Sequence, residues 1–452
     1  MMPKTSIAEH NKHSGSDSLR PGAAFAVLLL LFALTVTGVG CDSQEAPPPP
    51  PVSQLRAILW NTPTETTVRS FFDQTLQQFN TLDDHAQVTP TYIPDEEYKA
   101  KLALDMALNA PSDIFMTWSA GFLQPFVSAE KVFDLTPALE ADPAWRDSFY
   151  PHILDNLSYD NRAYAIPVAR TVAGVFYNTT IFENLGLTPP RTFTELETVV
   201  QTLAANKVTP FALGNEFPWV GGMFGGLLIH RIGGESLYQT MAAGETPWLD
   251  PTFLRAGELL QRLQSQGAFP KNMSTLSYED ALSMFKKGKA AMLVMGSWII
   301  SRFGEDNHAF PEQVGFFPFP EVEGGLGTRD DWMGQSDYNL AISINCQDTD
   351  GAIRFLKAFT SLESQRQLVE HTGTLPSVRL DLDTLDLRPL TRQVISETTI
   401  MSSQFLFFDI LLGQELGGTY NETIRTILEG STPETAFAKL QQTAQATLPA
   451  KQ

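Results

Sequence analysis

The chain has 452 residues, 43% of them hydrophobic, and a formal net charge of −20. So acidic a protein is a poor partner for nucleic acid or for anionic membrane surfaces, and past the first 40 residues no apolar run is long enough to span a bilayer. Its length exceeds one compact core and predicts two domains; only Cys41 and Cys346 are present, and if Cys41 carries lipid no intramolecular disulfide remains and packing must stabilise them.

Residues 1–40 read as an export signal. Lys4, Lys12 and Arg20 precede an apolar segment over 23–36, which is short for a membrane span. Gly38 and Gly40 then lead to Cys41, where a bacterial lipoprotein would be cut and acylated. The surrounding residues resemble a lipobox, with Gly38 standing where leucine is usual. Asp42 would follow the acylated cysteine, a placement associated in Gram-negative bacteria with retention at the inner membrane. Residues 41–53 form a tether. Its prolines, 47–51, favour a polyproline II spacer of roughly 15 Å that holds a folded body off the membrane.

Beyond the tether, 55–60 reads as a strand, 66–80 as a helix and 88–93 as a second strand. A helix follows over 95–109, with Tyr98, Leu102, Met106 and Leu108 near one face, and then a turn and third strand over 111–116. This βαβαβ alternation predicts an α/β sheet. Residues 159–167 are a turn leading into a strand, and 165–170 suit a crossing between lobes. A short helix stops at Gly186. Thr192 and Glu195 then have the spacing of a capping box. Residues 210–219 form a strand that ends in polar residues and Trp219. A Gly-rich helix over 221–232 and an amphipathic helix over 253–266 come next. The run 290–295 is continuously apolar, which suits a strand buried on both faces, as in a parallel sheet covered by helices. Residues 314–320 read as a strand, 329–335 as a polar loop holding Trp332, and 338–344 as another strand. Helices are expected over 350–361 and 364–372, and 389–448 is mostly helical. Cys346 reads as a small buried residue.

Trp60, Trp118 and Trp298 each fall at or just past a strand's carboxyl end, where open α/β sheets bind ligands. A core tryptophan is the plainer reading of any one of them, but three in the same position favour a ligand. A flat ring suits the apolar C–H face of a sugar. The hydroxyl edge of the sugar needs carboxylates, amides and guanidinium groups.

Several motifs then occur in order: Pro-Ser-Asp-Ile-Phe at 111–115, Ala-Tyr-Ala-Ile-Pro at 163–167 with Phe-Tyr-Asn at 176–178, and 182–186 before Pro-Arg-Thr-Phe-Thr-Glu-Leu at 190–196. Phe-Lys-Lys-Gly-Lys-Ala-Ala-Met at 285–292 with Gly-Ser-Trp at 296–298 is the most specific. The last is Gln-Phe-Leu-Phe-Phe-Asp at 404–409, followed by Leu-Glu-Gly-Ser-Thr-Pro-Glu at 428–434. Across nearly the whole mature chain this pattern resembles the extracellular solute-binding proteins of ABC importers, in the group that binds sugars and oligosaccharides.

The resemblance implies an α/β, two-lobed periplasmic binding protein fold with discontinuous lobes and a hinged ligand cleft. The first lobe would take 54–165 plus about 320–380, and the second 166–319 plus about 381–450. Trp298 matches the family's strand-end aromatic that stacks on sugar, and Trp118 lies in its ligand-facing segment. Asn61 and Glu65 lie in the first binding loop, and Asn215, Glu216 and Trp219 in the corresponding loop of the second lobe. Arg170 lies close after the hinge. Trp332, Gln335 and Asp409 complete the implied set. Asp113 matches a motif position but reads better as a turn-stabilising carboxylate. The implied partners are a carbohydrate and the permease subunits in the membrane. A monomer is expected, periplasmic or on the cell surface and lipid-anchored to the cytoplasmic membrane, with no cofactor and no metal.

Two other classes bear comparison. A secreted glycoside hydrolase needs two carboxylates across a scissile bond, and Glu65 with Glu216 could supply them. The sequence has no Gly-x-Ser-x-Gly elbow, His-Glu-x-x-His motif or phosphate-cradling loop. Its seven histidines are scattered, with His10 and His13 in the signal. A binding protein for a non-sugar solute such as a polyamine or peptide is the other alternative, since a polyamine would favour acidic groups among aromatics.

Overall fold

The structure, a computed structural model, describes residues 51–61, 65–304, 310–398 and 403–447. The export signal, Cys41 and all but the last of the five prolines lie outside these residues.

The first sheet runs in the order Asn339–Ile342, Ile114–Thr117, Ser53–Trp60, Ala86–Ile93. The last three strands are parallel, and Asn339–Ile342 closes the edge in the antiparallel sense. The helix Thr66–Leu82 packs on this sheet through Val68, Phe71, Phe72, Thr75, Leu76 and Phe79. Their three- and four-residue spacing gives the helix one apolar face. Asp113 accepts a hydrogen bond from the Arg56 backbone N–H at 2.8 Å and so joins two neighbouring strands at their start.

The second sheet is built on the long strand Ala169–Asn178. Its first half pairs with Asp331–Asp337, and its second half with Ala290–Gly296 and Val314–Phe317. Ala290–Gly296 is buried at every residue, as a continuous apolar run requires. It lies parallel to Thr209–Phe211 but antiparallel to the long strand, so the expected all-parallel setting is corrected.

Helices cover this sheet. The Gly-rich Trp219–Ala242 meets Phe408–Leu428, and a Cβ on Gly225 would lie 2.7 Å from Ile424, so glycine is what lets the two helices touch. Leu390, Val394, Ile427, Phe437 and Leu440 carry the C-terminal helices into the same core.

Each sheet has its own hydrophobic core. Among the described residues, three segments run between them side by side. Ile166 bridges to Leu340, Ala169 and Arg170 pair with Asp337 and Ser336, and Leu375–Pro376 lies against Arg170 and Ala169. Tyr338 turns the chain from one sheet to the other with φ +47°, a region uncommon for residues other than glycine.

Two expectations are corrected here. Residues 331–337 form a strand, not a loop, because the long strand and Ser403–Phe405 hold it from both sides. Phe319, Val322, Trp332 and Met333 consequently belong to the second core, so the first lobe does not resume at 320. Cys346 is a buried free thiol.

Candidate functional site

A cavity of about 430 Å³ opens between the two cores, at the carboxyl ends of the strands. Trp60 is the last residue of its strand, and Trp118 follows Ile114–Thr117 directly. Trp298 comes two residues after Ala290–Gly296. All three line the cavity.

On the first-core side, Trp60 and Trp118 stack face to face at 4.3 Å and 6°. Tyr98 meets both rings edge-on, at 5.5 and 6.0 Å, and is anchored by donating its hydroxyl to the Met116 carbonyl at 2.6 Å. Glu65 sits at the start of the helix Thr66–Leu82, with Asp95 and Lys99 on the next helix.

On the second-core side, Trp298 is held by the turn before it. The Ser297 hydroxyl lies 3.0 Å from that of Thr171 and accepts from the Val172 N–H at 3.2 Å, which ties the turn to the long strand. Glycine at 296 leaves room for the indole to fold back over the strand end. Trp219 and Tyr278 start two helices, and their rings tilt toward each other at 5.6 Å and 39°. Trp219 lies 6.1 Å from Trp298, and Phe407 packs on Trp298 at 5.7 Å. Gln335, Asp337 and Tyr338 line the cavity from the crossing segment.

The polar groups are mostly acidic. Arg302, 4% exposed, binds Glu279 at 2.8 Å within the second lobe and reaches Glu65 of the first at 3.7 Å. Asn61, buried behind Glu65, points its amide at that carboxylate from 3.5 Å. Burial pushes Asp337 up to about 6, against a 2.8 Å hydrogen bond from the Tyr338 N–H and with repulsion from Asp95 adding to it. Burial also raises Asp409, opposed by a hydrogen bond from the Asn421 amide at 3.0 Å, by the attraction of Lys99 and by the Ile410 N–H at 2.9 Å. The Gln335 Oε1 is buried with no hydrogen-bond partner.

Of the residues named from sequence, Glu65, Trp118, Trp219, Trp298, Gln335 and Asp409 line this one cavity. The other five do not. Asn61 stands behind Glu65. Trp332 is 1% exposed and stacked on Phe316 at 5.7 Å and 13°, a core residue. Arg170 lies in the crossing, its guanidinium 4.5 Å over the Tyr150 ring. Asn215 is buried and caps the Gly-rich helix, accepting from the Gly221 N–H at 3.0 Å. Glu216 is exposed beside the cavity, so Glu65 and Glu216 do not form the pair a hydrolase would need. Trp60, singled out at its strand end but absent from the implied set, also lines the cavity, and sequence reasoning left out Phe217, Tyr278, Glu279, Asp337, Tyr338 and Phe407. Trp60 carried the same strand-end signal as Trp118. Tyr278 and Glu279 had only a helix start at Ser277, and Asp337 and Tyr338 had none.

Fold and cavity together define a two-lobed α/β binding protein with its ligand space between the lobes. Residues 62–366 match the family described as bacterial extracellular solute-binding protein, and the chain belongs to that family. It is similar to the multiple sugar-binding protein of Streptococcus mutans, 26% identical over 257 residues, which are 54% of this chain and 59% of that protein. The chain thus matches a little over half the length of this relative. Among solved structures, it is similar to a protein from work on xylan utilization by the thermophilic bacterium Caldanaerobius polysaccharolyticus. That likeness has a TM-score of 0.80 at 26% identity, over 86% of this chain and 99% of that one. A chitin oligosaccharide binding protein gives 0.81 at 25% identity, over 87% and 98%.

Proposed function

We propose that this protein is the substrate-binding receptor of an ABC importer, capturing a sugar or oligosaccharide between its lobes and delivering it to a membrane permease. The observation that carries this reading is the convergence of Trp118 from one lobe with Trp219 and Trp298 from the other on a single cavity. Rings on opposite walls suit the two faces of a pyranose, and the carboxylates and Gln335 suit its hydroxyl edge. Similarity to proteins named for sugar and chitin oligosaccharide, and to one from work on xylan utilization, points the same way. A ligand touching both lobes at once favours their closed arrangement. The protein acts as a monomer, tethered to the cytoplasmic membrane through lipid on Cys41 and facing the periplasm or cell exterior.

A thermal-shift screen against mono- and oligosaccharides, including chitin- and xylan-derived ones, tests the receptor. At a hundredfold excess over Kd, a ligand bound only to the native state adds about 2.7 kcal/mol. A rise in Tm with a saccharide, lost in Trp298→Ala, is expected. No shift with any saccharide contradicts the reading. For the tether, Cys41→Ser should move the protein from the membrane fraction to the soluble one.

A further inference from the structure

Sugar hydroxyls call for acceptors, but a neutral sugar does not call for so much uncompensated charge among them. Glu65, Asp95, Glu97, Glu279, Asp337 and Asp409 line the cavity, against one lining cation, Lys99. Arg302 offsets part of this at the rim, through Glu279 and Glu65. Farther in, Asp409 accepts from the Ile410 N–H and the Asn421 amide and is attracted by Lys99, whereas Asp337 has a neutral donor, the Tyr338 N–H, and no cation among the described residues acts on it. Asp95, on the facing helix, repels Asp337 rather than compensating it.

A second observation is independent of the carboxylates. Gln335 is 5% exposed, lines the cavity, and has a buried acceptor oxygen with no hydrogen-bond partner. The unmet demand is therefore for donors and for positive charge. A metal ion does not answer it, because among the described residues no three His, Cys, Asp or Glu side chains are gathered closely enough to hold one. Indole faces, the remaining part of the wall, attract cations as well as sugar C–H groups.

We propose that the cavity selects a basic carbohydrate, an amino sugar or short amino-sugar oligomer whose ammonium group is received by Asp337 and by Gln335, two residues before it on the same strand. This rests on the receptor reading and narrows its ligand class. The sugar rings lie against the tryptophans, and the ammonium supplies the positive charge that Asp337 lacks. A neutral sugar of the same shape makes the ring contacts but leaves Asp337 in low dielectric without a counter-charge.

The test is calorimetric titration of the purified protein at about pH 6.5 with three β-1,4 disaccharides, of glucosamine, of N-acetylglucosamine and of glucose, and with spermidine. The glucosamine disaccharide should bind about tenfold more tightly than either neutral one. That preference should shrink as salt is raised and fall in Asp337→Asn. Equal or tighter binding of a neutral disaccharide overturns the charge selection and leaves the sugar receptor standing. Spermidine binding without any disaccharide overturns both. Binding of none of the four overturns the proposal as stated.

Discussion

On the first-lobe wall Trp60 and Trp118 lie 6° apart at 4.3 Å, whereas on the second-lobe wall Trp219 meets Trp298 at 58° and 6.1 Å. In the first case one ring backs another: Trp60 is 8% exposed and supports Trp118 from within the core. In the second, rings of different tilt, braced by Tyr278 and Phe407, each turn a separate face or edge to the cavity. Two adjacent indoles can thus divide the work between fold and ligand, while tilted ones share it.

The largest effect should come from breaking the stacked pair on its inner side. Trp60→Ala should destabilise the protein by about 3–5 kcal/mol, the usual cost of deleting a buried aromatic, read as a lowered denaturation midpoint. Trp118→Ala should cost much less stability and weaken ligand binding instead. If the two substitutions destabilise equally, the wall is not divided in this way.

Asp337 sharpens the comparison at the crossing between the walls. Its carboxyl is pushed up to about 6 in the folded protein, from an ordinary value of 3.8. A raised acid costs the folded state stability: the cost is absent below pH 3.8, grows between the two values and is full above 6. Asp337→Asn keeps an acceptor for the Tyr338 N–H, so it should stabilise the protein by about 3 kcal/mol above pH 7. The gain should vanish near pH 4. Thermal melts of both proteins across that range check it, and a pH-independent difference would contradict it.

A smaller effect is expected where the lobes meet directly. A Cβ on Gly121 would lie 2.5 Å from the Gly413 nitrogen and 2.6 Å from the Leu411 carbonyl oxygen, at the kink of Phe408–Leu428. Gly121→Val should hold the lobes apart and weaken ligand binding about tenfold, with little change in the melting of the ligand-free protein. Unchanged affinity would show that this contact is not part of the binding form.

What the sequence made legible follows from how local each signal is. Trp118 and Trp298 follow apolar runs, so the strand-end rule finds them. The βαβαβ start is readable because its helix and strand periods are distinct. Trp332 misleads because Met333, Gly334, Gln335, Ser336 and Asp337 have no two-residue alternation; they are a strand only because Ala169–Asn178 and Ser403–Phe405 lie on either side. The same long-range pairing creates the Asp337–Tyr338 crossing, so no local pattern announces it. Asn215 and Arg170 are polar residues at expected binding positions that the fold uses for a helix cap and for the crossing. Residue type alone does not distinguish these uses.

The central claim is that a saccharide is held between indoles contributed by both lobes. Calorimetric titration of the saccharide giving the largest thermal shift, against wild type, Trp118→Ala and Trp298→Ala, tests it most directly. Each single substitution, one on either wall, should weaken binding by about a hundredfold, or 2.7 kcal/mol, with the fold retained. Full affinity in either variant would contradict the account.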